Sequence, residues 1–131
     1  MVAATSIFHG TEAGGFRVTR GQGGRSLILE CWGYWEEEAV AEFVKASFRT
    51  LEEAPAPLEV LLDAALFKPQ SSAGQDALLG FMRRVAKQPP QSVRIRADNV
   101  LTQMQLTRLV RQSGLPAVAF ASLAQAETPG R

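Results

Sequence analysis

Residues Leu58–Leu62 read Leu-Glu-Val-Leu-Leu and close on Asp63. A run so short and so apolar suits a buried strand, and near-continuous burial calls for cover on both faces. The connector Ala64–Gln70, which holds Lys68-Pro69, leads to Ser71-Ser72-Ala73-Gly74-Gln75. A helical pattern follows. Leu78, Leu79, Met82, Val85 and Ala86 fall on one side, with Arg83, Arg84 and Lys87 on the other. A buried strand feeding a helix through a polar loop restricts the chain to α/β packing. It also points to the loop, because open α/β sheets bind at the carboxyl ends of their strands.

The remaining elements arrange themselves around that unit. Residues 1–15 are weakly patterned: Ser6-Ile7-Phe8 could add strand residues, but Gly10, Gly14 and Gly15 interrupt them. Phe16–Arg20 alternates, Gly21-Gln22-Gly23-Gly24 turns, and Ser26–Trp32 returns, which predicts an antiparallel hairpin. Glu36-Glu37-Glu38 opens a helix at its electropositive end, with Val40, Phe43, Val44, Ser47 and Leu51 marking the inner face through about Ala54. Pro55-Ala56-Pro57 ends that helix, and Gln88-Pro89-Pro90 ends the one after Ser72.

Val93–Ala97 reads as a strand with Arg94 and Arg96 facing outward. Thr102-Gln103-Met104-Gln105 has the form of a capping box opening a helix whose Leu106, Leu109 and Val110 face inward. Gly114 suits its C-terminal cap, and Ala117–Phe120 suits a last strand. The order predicts one mixed sheet of about five strands, with parallel right-handed crossovers after the hairpin and helices mainly on one side. The domain spans residues 16–126, and 127–131 form a frayed tail.

Composition narrows function chiefly by exclusion. A chain of 131 residues with formal charge +1 has no field to draw in nucleic acid or anionic lipid. Cys31, the only cysteine, rules out an internal disulfide and a multi-cysteine zinc site. The amino terminus lacks the pattern of a signal peptide, and no run is long enough to insert in a membrane, so the chain reads as cytoplasmic. Gly21–Gly24 is not a phosphate loop, because no Gly-Lys-Ser/Thr follows and a strand comes next. His9, the only histidine, reads as a surface residue. No nucleophile–histidine pair, metal cluster or cofactor motif can be assembled, so the expectation is a protein that is not an enzyme and carries no metal or cofactor.

Two stretches remain as candidate sites. Ser72-Ala73-Gly74-Gln75 matches a capping box, so Ser72 either caps a helix or caps it and also serves as a modifiable hydroxyl. Tyr34-Trp35, in the connector after Gly33, is either a buried aromatic lid or an anchor for a partner.

The pattern resembles a STAS domain, the family of bacterial anti-sigma-factor antagonists and of the cytoplasmic domains of sulfate transporters. Leu29–Gly33 before a helix start is similar to the family's second strand. Val60-Leu61-Leu62-Asp63 is similar to its central strand, Ser72-Ala73-Gly74 to the end of its Asp-Ser-Ala-Gly motif, and Ser113-Gly114-Leu115 to its closing segment. The resemblance covers about Phe16 to Leu123. It implies a STAS-like fold, Ser72 (or its neighbour Ser71) as a phosphorylation candidate, and a protein partner such as an anti-sigma-factor kinase or a scaffold complex. That partner would contact Ser71, Ser72, Gly74 and Gln75, with Tyr34 and Trp35 alongside. Ser71 stands where the family carries an acidic residue, and Gln75 where it carries an apolar one.

Overall fold

The structure is a computed structural model that describes residues 5–21, 25–52, 57, 59–115 and 119–121. Its strands are β1 (Thr5–Thr11), β2 (Gly14–Arg20), β3 (Ser26–Gly33), β4 (Glu59–Phe67), β5 (Ser92–Arg96) and β6 (Ala119–Ala121). Its helices are α1 (Glu37–Glu52), α2 (Ser72–Lys87) and α3 (Val100–Ser113). Among the described residues the strands form one sheet in the order β1-β2-β3-β4-β5-β6. β2 pairs antiparallel with both β1 and β3, and β3 through β6 are parallel. The hairpin and the parallel crossovers are therefore as expected, with β4 inside the sheet.

β1 is one strand more than the sequence pattern predicts. Its glycines, which look like breakers, are what let it pair. A Cβ on Gly10 would sit 2.5 Å from the Gly14 carbonyl oxygen, and one on Gly15 would sit 2.9 Å from the Trp32 ring. Glycine at these positions permits the close backbone approach that any side chain would prevent. Gln22–Gly24 of the expected Gly21–Gly24 turn and the first expected residue of β4, Leu58, lie outside the described residues. So do Ala54, Ala117 and the 127–131 tail.

One face of the sheet carries the core. Phe16, Val18, Leu27, Leu29, Val60, Leu62, Val93 and Ile95 are buried there in strict alternation, in one cluster with Phe43, Leu78, Met82 and Leu106 from the three helices. The opposite face bears Arg17, Ile28, Glu30, Leu61, Asp63 and Arg94, all at least partly exposed. Cover on both faces of β4 is thus corrected: Leu61 is only half-buried, and Arg96 pairs with Asp63 across the open face at 3.4 Å. Continuous apolar sequence in β4 reflects its central position, not two layers of helices.

β4 also runs to Phe67, through residues that read as a connector. Parallel pairing continues past a register shift between Glu30 and Trp32, and Trp32 and Gly33 pair with Leu66 and Phe67. Such a shift is a long-range device that local composition does not announce.

Helix phases hold in α3 and drift in α1. α1 buries Ala39, Phe43, Ala46 and Ser47, and Val44 is 48% exposed, contrary to the expected stripe. The alanines let α1 sit close enough for Phe43 to join Trp35, Phe16 and Phe81 in an aromatic cluster with centroid separations of 4.7, 5.4 and 5.8 Å. α2 buries Leu78, Met82 and Val85 as expected, adds Phe81, and leaves Leu79 and Ala86 half-buried. Arg84 is not simply solvated. Its guanidinium lies 4.1 Å from the Phe48 ring centroid and 3.9 Å from Glu52.

Candidate protein-docking surface

The amino-terminal end of α2 lies just beyond the carboxyl end of β4, and its cap differs by one residue from the expected one. Ser71 is the N-cap, with φ −66° and ψ 169°, and its Oγ accepts from the Gly74 amide at 3.2 Å. The Ser71 carbonyl accepts the first helical bond, from the Gln75 amide at 2.9 Å. Ser72 is therefore the first helical residue and does not cap. It is exposed, and its hydroxyl has no hydrogen-bond partner in the structure. A serine in either place satisfies the same local motif, so only backbone geometry separates the two.

Behind the cap lies a network centred on Gln70, which is 6% exposed. Its Oε1 accepts from the Trp35 amide at 2.9 Å, and its Nε2 donates to the carbonyls of Gly33 at 3.0 Å and Lys68 at 2.6 Å. The Gln70 amide donates to Gln105 Oε1 at 2.9 Å. Its carbonyl accepts from Gln75 Nε2 at 3.0 Å and from Gln105 Nε2 at 3.3 Å. Gln75 Oε1 in turn accepts from Arg108. Buried amides in a loop need such partners, and three glutamines supply what no strand can reach. Gly74 packs over this hub, since a Cβ there would sit 3.1 Å from the Gln70 Cβ.

α3 is docked by the same network and by its own cap. Asn99 is the N-cap, accepting from the Thr102 amide at 3.1 Å, so the expected capping box from Thr102 to Gln105 does not form. Thr102 Oγ1 donates instead to the Phe67 carbonyl at 2.9 Å, and Gln105 serves the Gln70 loop. Leu101 lies one helical turn before Gln105 and Met104 one turn before Arg108, so both flank the line of contacts to the α2 end. Both are largely exposed, as is Val100. Apolar residues in the first turns of α3, with no core to meet, were the signal available in the sequence for this surface.

The aromatic pair separates. Trp35 is 1% exposed, donates from Nε1 to the Gly15 carbonyl at 2.8 Å, and belongs to the core. Its candidacy as a partner contact is corrected on that ground: an indole enclosed and hydrogen-bonded from within cannot reach a second protein. Tyr34 is 41% exposed beside the β1–β2 turn, where its amide donates to the Ala13 carbonyl at 3.2 Å. The structure thus brings together Ser71, Ser72, Gly74 and Gln75, and adds Gln70, Gln105 and Arg108. His9 is half-buried in β1 and stacks on Phe16 at 5.9 Å.

Electrostatically the α2 end is open to negative charge. Unsatisfied amides and the helix dipole give it positive character, and its first turn holds no acidic residue. Among the described residues no group of three His, Cys, Asp or Glu side chains could hold a metal ion, and no helix is long and apolar enough to cross a membrane.

No family model matches the chain, and no curated protein matches it. Its fold is matched among solved structures. An anti-sigma factor antagonist from Mycobacterium paratuberculosis superimposes with a TM-score of 0.57 at 11% sequence identity, over 95% of this chain and 92% of that one. At that identity the likeness is one of fold, and the fold is the STAS-like α/β arrangement.

Proposed function

From the premise of a STAS-like fold, we propose that this chain is a protein-interaction module in bacterial regulation, docking its partner through the amino-terminal end of α2 and the adjoining outer surface of α3. The observation that carries the proposal is Ser72, exposed and uncommitted at the start of α2, together with the exposed apolar side chains of Leu101 and Met104 on the side of α3 whose Gln105 and Arg108 reach the Gln70–Gln75 segment. A polar, modifiable centre next to a small apolar patch has the composition of a protein interface. The structural neighbour's description as an anti-sigma factor antagonist points the same way. The working place of such a module is the cytoplasm.

In this reading Ser72 is the switch residue. Its hydroxyl can be phosphorylated without breaking the cap, because Ser71 performs that task. A phosphate there adds about two negative charges at the positive end of a helix, so the fold survives. A partner packed against the same place would have to desolvate that charge and would be released.

A second reading, a STAS-like scaffold subunit without phosphorylation, is favoured by one observation. Gln75 and Arg108 are committed to each other and to the loop, so neither is on hand to guide a kinase. Intact mass of the protein from its native host distinguishes the two.

The docking proposal is tested with the partner recovered by pull-down from that host. Ser72→Glu and Met104→Asp should each weaken binding at least tenfold with thermal stability nearly unchanged, and Ser72→Ala should preserve binding. Wild-type affinity in both charged variants would place the interface elsewhere.

A further inference from the structure

We propose that β1 pairs antiparallel with β1 of a second copy of this chain, joining two sheets edge to edge. This lies beyond the docking surface, which sits at the end of β4, three strands away in the sheet. β1 is an edge strand whose seven residues, Thr-Ser-Ile-Phe-His-Gly-Thr, pair with β2 in unbroken register. Edge strands ordinarily guard themselves with lysine, proline, an inward charge or a bulge, because their outer N–H and C=O groups are a template for another strand. β1 has no Lys, Arg, Asp, Glu or Pro, and no register shift. The other edge, β6, has three described residues.

The occupant that fits is a second copy. Antiparallel pairing of a strand with itself is two-fold by construction, so one surface serves both subunits. Centred on Phe8, it sets Ser6 against Gly10 and Ile7 against His9, with no like-charge pair. Phe8 is 54% exposed on the open face and stacks on Trp32 at 5.8 Å and 26°. Pairing continues this stack across the axis through a Phe8–Phe8 contact. The backbones of Arg17 and its symmetry mate would lie three strand spacings apart, about 14 Å, and each exposed guanidinium is held over its own Phe8 ring at 5.3 Å from the centroid, where solvent screens the pair. A net charge of +1 adds little general repulsion. One strand edge offers less than the roughly 800 Å² per partner of a standard stable complex, so the dimer is weak and reversible, with micromolar dissociation or weaker.

Sedimentation velocity over a series from low micromolar to near-millimolar protein tests this. The wild type should pass from monomer to dimer. Phe8→Lys, which opposes two ammonium groups at the axis, should weaken association at least tenfold while circular dichroism stays native. Met104→Lys, on α3, should leave it unchanged. Phe8→Cys should form a disulfide-linked dimer under mild oxidation, since the native Cys31 is buried and Met104→Cys should not. A wild type monomeric throughout, a Phe8→Lys variant that dimerises equally, or a β1 that pairs only with a different polypeptide would each overturn the proposal.

Discussion

Gln105 closes its side-chain amide onto the backbone of Gln70, accepting from the Gln70 N–H at 2.9 Å and donating to the Gln70 C=O at 3.3 Å. A single side chain on α3 thus treats a loop residue as a strand neighbour would. The contact fixes the last turn of chain before Ser71, and with it the position of the exposed Ser72. α3 therefore shapes the α2 end without contributing a residue to its cap.

Truncating this pair should expose its value. Gln70→Ala leaves the buried Trp35 amide without its partner, at about 1–3 kcal/mol for an unsatisfied group, and also removes the side-chain donor to the Lys68 carbonyl and one of the two donors to the Gly33 carbonyl, which keeps the Lys68 amide. A total loss of roughly 2–4 kcal/mol is expected, against about 1 kcal/mol for Gln105→Ala. Urea melts of both singles and the double mutant should give a coupling of at least ~0.5 kcal/mol. Strict additivity would show that the two glutamines act independently.

The two serines should differ in kind. Ser71→Ala removes the cap acceptor of the Gly74 amide and should cost about 1 kcal/mol. Ser72→Ala removes a hydroxyl with no partner and should change the denaturation midpoint hardly at all. Equal losses from both would mean that the cap is shared between them.

Core phase in the sheet and α2 can be read from a graded series. Leu62→Asp places a charge where the side chain is almost wholly enclosed and should unfold the protein, since the cost of several kcal/mol is comparable to the whole stability of roughly 5–15. Phe81→Ala should cost about 3–5 kcal/mol. Leu79→Asp should be milder than Leu62→Asp, because a half-buried side chain can turn its carboxylate to water. Arg84→Ala loses an exposed contact over Phe48 and a loose pair with Glu52, worth at most ~1 kcal/mol. A Leu79→Asp variant as unstable as Leu62→Asp would overturn this helix phase.

Cys31 sets a pH dependence. Burial, with Asp63 and Glu30 adding, pushes its thiol well above the usual range, so the folded state keeps a proton that the unfolded chain releases near pH 8.5. The native state then binds more protons, and stability falls as pH rises above about 8.5, by up to ~1.4 kcal/mol per unit until the folded thiol itself ionises. Urea midpoints from pH 7 to 10 should show the decline, and Cys31→Ala should flatten this component. In the native protein a thiol reagent should react no faster than global unfolding allows.

The sequence by itself determined the order of elements from the hairpin onward, the parallel crossovers, most of the inner faces of α2 and α3, and the polar loop that leads from β4 into α2. These rest on periodicities of two and 3.6 residues and on glycine and proline punctuation, which act over a few neighbours. Tertiary structure decided the remainder. β1 exists because β2 offers it a register and its glycines allow close approach, a pairing no local pattern encodes. Val44 faces water because the alanines at positions 39 and 46 set how α1 lies against its neighbours. Trp35 is core because Gly15 and Gln70, distant in sequence, satisfy its polar atoms. Asn99 caps in place of Thr102 because Thr102 and Gln105 are bound to residues 35 positions away, and Ser71 caps in place of Ser72 because the backbone leaving the Gln70 network is extended at Ser71. A capping motif names the residues able to bond locally. Competing long-range partners decide which of them do.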